Sequence, residues 1–142
     1  MALSNRSPTL GGAAARALVA ASDLAVLATL STRLESCGLQ VIARVEDIES
    51  SSWDIDPRPD LVLVRVEQGQ EMAAYYIGRA ASERGIATLF VAAHHQALAI
   101  DALIHAIPHS VLAEEPLSDE ILAAKITTAL TSLTAGMTAN QG

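Results

Sequence analysis

The chain has 142 residues, of which 51% are hydrophobic and 18% are charged, with a net charge of −7 and a pI near 4.9. This length suits one domain with a substantial core, and the composition excludes a mainly disordered chain. The acidic balance and the scattering of nine basic residues argue against a nucleic-acid surface, because phosphate contacts need clustered lysine and arginine. Aromatic residues make up 3% of the chain, too few for a base-stacking platform or a flavin site.

Two features of the sequence bear on the compartment. The single cysteine, Cys37, excludes an internal disulfide and favours a reducing, cytoplasmic setting. The apolar stretch 13–30 is interrupted by Arg16 and Asp23, whereas a membrane-spanning helix needs about 20 consecutive apolar residues. We therefore expect no membrane segment, and we interpret this stretch as a soluble strand followed by a helix.

The first third of the chain predicts an arm, a strand and a helix. Residues 1–15 contain serine, asparagine, proline and paired glycines, and we expect them to form a flexible N-terminal arm. Residues 17–21 form a short apolar run that predicts the first strand. From Asp23 onward, leucines recur at helical spacing and predict a helix that Ser22 or Asp23 caps and Gly38 ends.

The middle of the chain contains the predicted central strand of the sheet. Residues 41–45 predict a second strand, and the acidic, serine-rich segment 46–53 predicts at most two helical turns. The unbroken apolar run 61–64 is typical of a strand buried on both faces, and therefore of the middle of a parallel sheet. Arg65 follows at the carboxyl end of this strand, the edge where open α/β sheets build their sites.

The second half of the chain alternates helices and strands in the same way. Its predicted elements are a helix at 71–84, a strand at 87–92, a loop at His94 and His95, a helix at 96–107, a short strand at 110–113, a helix capped by Ser118 and a disordered tail at 134–142. Five strand-then-helix rounds without a repeat or a linker predict one domain, at 16–133. The predicted fold is α/β and doubly wound, with helices on both faces of a five-stranded parallel sheet.

Four segments resemble bacterial two-component receiver domains, the CheY-like domains of response regulators. Ala-Leu-Val-Ala-Ala-Ser-Asp at 17–23 resembles their opening strand, and Pro-Asp-Leu-Val-Leu-Val at 59–64 resembles their third strand. Ile-Ala-Thr-Leu-Phe-Val-Ala-Ala-His at 86–94 resembles the fourth strand, and Glu-Pro-Leu-Ser-Asp-Glu-Ile-Leu at 115–122 the last strand-to-helix turn. The likeness spans residues 16–133 in order. It implies a flavodoxin-like three-layer sandwich with strand order 2-1-3-4-5 and a cis peptide bond before Pro116.

The chemistry that the resemblance implies is missing from this sequence. Receivers hold Mg²⁺ with an acidic pair after the first strand and accept a phosphoryl group on an aspartate that ends the third. They also use a hydroxyl residue after the fourth strand, an aromatic switch in the fifth strand and a lysine before the proline. Here Ala21 and Ser22 stand at the acidic pair, and Arg65 stands at the phosphoacceptor. Ala92 stands at the hydroxyl residue, Leu112 at the aromatic switch and Glu115 at the lysine.

Arg65 excludes the receiver reaction at its own position. An arginine lacks the carboxylate that forms an acyl phosphate, and its permanent charge repels Mg²⁺. Shifting the first strand by one residue would bring Asp23 into the acidic pair but would restore nothing at Arg65. The sequence therefore predicts a pseudo-receiver, a non-catalytic signalling or regulatory domain. We expect it to act by phosphorylation-independent protein contacts, without Mg²⁺ or another cofactor.

Arg65 stands where the family has an aspartate, and Glu115 stands where it has a lysine, so the two charges are exchanged. We predict that they form a salt bridge across the ends of the third and fifth strands. The alternative is that both side chains point to solvent and contribute about 0–1 kcal/mol. Glu114 and Asp23 are further candidate partners for Arg65.

Three other hypotheses concern partners and ligands. Region 95–133 matches the face that receivers often use for dimers and output partners, so it is a candidate protein-contact or homodimer surface. Arg65 is also, as an alternative function, a candidate group for binding a small anion such as a nucleotide or a carboxylate. The adjacent His94 and His95 could ligate a metal, but zinc sites need three or four convergent ligands, and we predict no metal.

Overall fold

The computed structural model describes residues 9–10, 13–46 and 58–141. The strands are β1 (Thr9–Leu10), β2 (Ala13–Ala14), β3 (Arg16–Ala20), β4 (Gln40–Val45), β5 (Leu61–Val66), β6 (Ala87–Ala92) and β7 (Ser110–Glu114). The helices are α1 (Leu24–Ser36), α2 (Glu71–Glu83), α3 (His94–Ile104) and α4 (Asp119–Gln141). The short helix predicted at 46–53 falls almost entirely on residues outside the described ranges.

Five strands form one parallel sheet in the order β4-β3-β5-β6-β7. This order is the predicted 2-1-3-4-5, and β5 lies at its centre, with Leu63 beside Val19 on one neighbour and Leu89 on the other. Helices α1 and α4 cover one face of the sheet, and α2 and α3 cover the other. The predicted three-layer α/β sandwich is therefore confirmed.

Successive residues of β5 enter two separate cores. Leu61 and Leu63 pack with α1 and α4, whereas Val62 and Val64 pack with α2 and α3. All four are fully buried, as a non-alternating apolar strand requires. Each such side chain contributes about 1.5–3 kcal/mol when it leaves water. The strand that ends near Arg65 is thus a rigid base for whatever lies at its carboxyl edge.

The helix boundaries follow the capping residues that the sequence predicted. The carboxylate of Asp23 accepts hydrogen bonds from the amides two and three residues further on, at 2.8 and 3.2 Å, and so begins α1. Ser118 caps α4 through one bond of 3.1 Å. Helices α1 and α2 are each followed closely by a glycine with positive φ, Gly38 at 93° and Gly85 at 73°. The peptide bond between Glu115 and Pro116 is cis, as the resemblance implied.

The prediction of a loop at His94 and His95 was wrong, because α3 begins at His94. Ala93 is extended, at φ −66° and ψ 155°, and its carbonyl accepts hydrogen bonds from the amides of Gln96 and Ala97 at 2.9 and 3.1 Å. Two polar residues after an apolar strand suggest a loop, but here the strand turns into the helix within one residue. Both histidines therefore belong to the first turn of a helix.

Three other boundaries differ from the prediction. Within the predicted flexible arm, β1 pairs with β2 as a two-residue antiparallel ladder, whose backbone bonds need no side-chain pattern. Helix α3 ends at Ile104 rather than at residue 107, before Pro108, which cannot continue a helix. Helix α4 continues to Gln141 instead of ending at residue 133, and the segment 134–141 holds no proline that would stop it. Among the described residues, no helix is long and apolar enough to cross a membrane.

Candidate functional site

Arg65 lies at the carboxyl end of the central strand and turns towards the connection between β7 and α4. Its Nη2 atom is 2.7 Å from Glu115 Oε1, and its Nε atom is 2.9 Å from Glu115 Oε2. These two parallel bonds form a bidentate ion pair, the strongest arrangement open to arginine and a carboxylate. The side chain of Arg65 is only 13% exposed and that of Glu115 is 33% exposed. The structure therefore brings the two charge-exchanged positions together and removes much of the pair from solvent.

Arg65 has a second carboxylate partner that the sequence did not identify. Its Nη1 atom is 2.9 Å from Glu67 Oε2 and donates to the carbonyl of Val66 at 3.2 Å. Glu114 and Asp23 were the other candidate partners of Arg65 from the sequence. In the structure, Glu114 contacts His94, and Asp23 caps α1. Glu67 follows the strand by one residue, but no sequence pattern gives the direction of a side chain in an irregular loop.

The two carboxylates determine the electrostatics of this cluster. The hydrogen bond to Glu115, with smaller effects from its charge and from Glu67, raises the pKa of the Arg65 guanidinium, against the opposing effect of burial. One guanidinium and two carboxylates give these three residues a net charge of −1 at neutral pH. Four of the five N–H groups of Arg65 face these acceptors, so a further anion would meet an arginine that is largely satisfied and a cluster that is negative overall.

Gln70 ties the loop after β5 to the loop after β3. Its Oε1 atom accepts from the amide of Glu67 at 3.1 Å, and its Nε2 atom donates to Ser22 Oγ at 2.6 Å. Ser22 stands where the resemblance places an acid, and its hydroxyl is already bonded to this glutamine. Together with Arg65, which reaches Glu115, Gln70 connects three loops at the carboxyl edge of the sheet.

The other positions that the resemblance singled out carry apolar side chains. Ala21 and Ala92 are fully buried, and Leu112 is half-buried against the core under α2 and α3. Mg²⁺ prefers oxygen ligands, carboxylates above all, and these residues with Arg65 do not fit that ion. Within the described ranges, no three histidine, cysteine, aspartate or glutamate side chains are grouped as metal ligands would be.

His94 and Glu114 form a second ion pair at the same edge. The Nδ1 atom of His94 contacts Glu114 Oε2, and this hydrogen bond, with the charge of the carboxylate, raises the pKa of His94. His94 is the first residue of α3, where the helix dipole disfavours a positive charge, so the carboxylate offsets an unfavourable position. Both side chains are well exposed, so this pair is weaker than that of Arg65 and Glu115.

The comparisons with known proteins identify the fold. No family model and no curated protein matches this chain. Among solved structures, it is similar to a response regulator receiver protein from Sinorhizobium medicae WSM419, with a TM-score of 0.64 and 20% identity over 84% of this chain and 97% of that chain. It is also similar to the signal receiver domain of a modulated diguanylate cyclase from Desulfovibrio desulfuricans G20, with a TM-score of 0.67 and 19% identity over 87% and 99% of the two chains.

A third similar structure is that of NtrX from Brucella abortus, with a TM-score of 0.73 and 17% identity. The match covers 90% of this chain and 30% of the NtrX chain. The chain therefore has the CheY-like receiver fold that the resemblance implied. At these identities the likeness concerns the fold, and the function has to be argued from the site.

Proposed function

We propose that this chain is a pseudo-receiver that acts in signal transduction or regulation through protein contacts, without phosphorylation and without catalysis. The observation that carries the proposal is the bidentate contact between Arg65 and Glu115. It lies where receivers place their phosphoacceptor and their lysine. A permanent ion pair at this point would stand in for the active-site contacts of the family.

The residues around Arg65 support the absence of phosphoryl transfer. The reaction needs a carboxylate nucleophile and a cation that neutralises the incoming phosphate. Position 65 holds a cation, and the carboxylates of Glu67 and Glu115 are both bound to it. Asp23, the acid nearest to the expected metal position in the sequence, is bonded to the start of α1.

Incubation with acetyl phosphate and MgCl₂, followed by intact mass measurement, tests this proposal. We expect no phosphoryl adduct on this chain, under conditions where a phosphorylatable receiver used as a positive control is modified. A stable adduct that maps to one acidic residue of this chain would contradict the proposal.

Region 95–133 is the surface through which we propose the protein contacts occur, with a second copy of the chain as the first candidate partner. Leu98 on α3 is 82% exposed, and β7 beside it is an edge strand of the sheet. An unpaired strand edge is a template for pairing with another chain, and Leu98 adds exposed apolar area in the same region of the chain. Leu24 is 61% exposed but lies on α1, across the sheet, and so provides a matched control.

Sedimentation velocity over a range of concentrations tests the homodimer. We expect a concentration-dependent dimer that Leu98→Glu weakens and Leu24→Glu leaves unchanged. Equal effects of the two substitutions, or a monomer at every concentration, would contradict a homodimer through this surface.

The alternative function, binding of a small anion at Arg65, has less support. The guanidinium nitrogens already have acceptors, and the three-residue cluster is negative overall. A thermal-shift screen with nucleotides and carboxylates separates the two functions, because a ligand that binds only the folded chain raises its Tm. A saturable rise that Arg65→Gln abolishes would favour the alternative. The bacterial, cytoplasmic setting stays a prediction from the resemblance and the single cysteine.

A further inference from the structure

A cavity of about 370 Å³ lies between the last turns of α2 and the loop that joins α3 to β7. Helix α2 starts at the carboxyl edge of the sheet and runs back, so its last turns lie near the amino edge. The cavity is thus at the opposite end of the molecule from Arg65. Its volume falls within the range of about 300–1,000 Å³ that is typical of small-ligand sites.

The floor of the cavity is apolar and held in place on both sides. Gly78 lets both β6 and the loop approach α2 closely, since a Cβ atom there would stand 2.7 Å from Phe90 Cζ on β6 and 3.2 Å from Ile107 Cδ1 in the loop. On its far side the loop is fixed by His109, whose Nδ1 atom lies 2.9 Å from Ser132 Oγ. The surface formed by Ile107 and its neighbours is therefore preformed.

The rim of the cavity carries one charge of each sign, and neither is held tightly. Arg79 Nη2 is 3.8 Å from Glu83 Oε2, and Arg79 Nη1 is 3.5 Å from the hydroxyl of Tyr75. The side chains of Arg79 and Glu83 are 55% and 67% exposed. Exposed pairs at such distances contribute little, so a ligand can take up both charges at low cost. The guanidinium carbon lies 5.9 Å from the centre of the Tyr75 ring, which keeps it beside an apolar wall.

We propose that this cavity binds a small zwitterion with an apolar side chain, the chemical class of the free α-amino acids. The ligand carboxylate pairs with Arg79, its ammonium group with Glu83, and its apolar part packs on Ile107 and Pro108 beside Tyr75. A simple anion would face the carboxylate of Glu83, and a simple cation would face the guanidinium of Arg79. A molecule that carries both charges satisfies both groups, and this assignment is independent of the role proposed for Arg65.

Titration of the full chain with L-phenylalanine, followed by amide NMR, tests the assignment. We expect saturable shifts at the amides of residues 75–83 and 106–107. We also expect 3-phenylpropanoate, which lacks the ammonium group, and phenethylamine, which lacks the carboxylate, to bind about threefold more weakly, the loss expected for one ion pair with an exposed partner. No saturable shift at these amides, or shifts centred elsewhere, would overturn the proposal.

Two substitutions on α2 and one at the residue that follows it separate loss of ligand recognition from general effects on the fold. Arg79→Gln and Glu83→Gln should each weaken L-phenylalanine binding about threefold, while both exposed changes preserve the dispersion of the NMR spectrum. Arg84→Gln is the matched control, because Arg84 bonds the carbonyl of Ala80 and does not line the cavity. Equal affinity of L-phenylalanine for the unmodified chain and the first two variants would also overturn the proposal.

Discussion

Arg65 on the central strand and Arg79 on helix α2 lie towards opposite ends of the molecule, and they differ in exposure and in the distance to their carboxylate partners. Arg65 is 13% exposed and bonds two carboxylates at 2.7–2.9 Å. Arg79 is 55% exposed, and its nearest carboxylate is 3.8 Å away. The same side chain is a fixed structural cation at the carboxyl edge and an available binding group at the amino edge.

This difference shows that the partners of an arginine, rather than its position in the fold, decide what it can do. The carboxyl edge is where α/β sheets most often bind ligands. In this chain, the guanidinium of Arg65 at that edge is already paired with the carboxylates of Glu67 and Glu115. A cavity and weakly held charges lie at the other end of α2. The predictions below are therefore designed to compare the two ends.

The largest expected effect is on stability at the carboxyl edge. Glu115→Ala should lower the free energy of unfolding by about 2 kcal/mol, because it removes two charged hydrogen bonds from a mostly buried arginine. Glu83→Ala, at the amino edge, should change it by no more than about 0.5 kcal/mol. Urea denaturation of the two variants measures both values. Similar losses for both would remove the distinction between the two arginines.

A pair of double-mutant cycles isolates the interactions themselves. We expect a coupling of about 1.5 kcal/mol between Arg65 and Glu115, since their contact is bidentate and shielded. Between Arg79 and Glu83 we expect about 0.3 kcal/mol, as for an exposed pair one helical turn apart. The cycles use alanine at each position and the same urea measurements. A coupling near zero for the first pair would contradict its role as a fixed link between strands.

Gly78→Ala tests the floor of the cavity. The new methyl group would meet Phe90 and Ile107, so overpacking should outweigh the gain from replacing a helical glycine, with a net loss of about 1 kcal/mol. Combining it with Phe90→Leu, which removes ring atoms from the contact, should give less than the sum of the two single effects. Strict additivity would mean that this close approach does not determine how α2 packs against β6.

The smallest effect concerns His94. Because Glu114 raises its folded-state pKa above the ordinary value of 6.5, their contact stabilises the fold fully below that value and is lost as the pH rises through the folded-state pKa. An NMR titration should place the His94 midpoint above 6.5, and Glu114→Gln should lower it. An unchanged midpoint in the variant would show that the carboxylate does not hold this imidazole.

The sequence predicted most of the fold because its signals were local and redundant. The buried run at 61–64, the cap at Asp23 and the glycine stops at Gly38 and Gly85 each point to one conformation. The start of α3 could not be predicted from His94 and His95, since a polar pair after a strand fits a loop as well as a first helical turn. Exchanged charges at Arg65 and Glu115 suggested a contact between two distant positions.

The contacts of Glu67 and Gln70 and the cavity beside Arg79 could not be predicted, because they depend on side-chain directions that sequence periodicity does not determine. Glu67 and Gln70 stand in a short irregular loop, where alternation no longer tells which way a side chain points. The cavity beside Arg79 arises from two segments about 25 residues apart in the chain that meet only in the folded molecule. Neither its volume nor the looseness of the Arg79–Glu83 contact leaves a pattern in the sequence.

Helix α2 begins one residue after Gln70 and ends beside the cavity, so one element adjoins both edges. Its 13 residues span about 20 Å, and a hydrogen-bonded helix of that length moves as a stiff rod. The hydrogen bonds of Gln70 at its start and the charges of Arg79 and Glu83 near its end are therefore joined by one stiff element. A ligand that moved the end of α2 would also move Gln70, which ties the loop after β5 to the loop after β3.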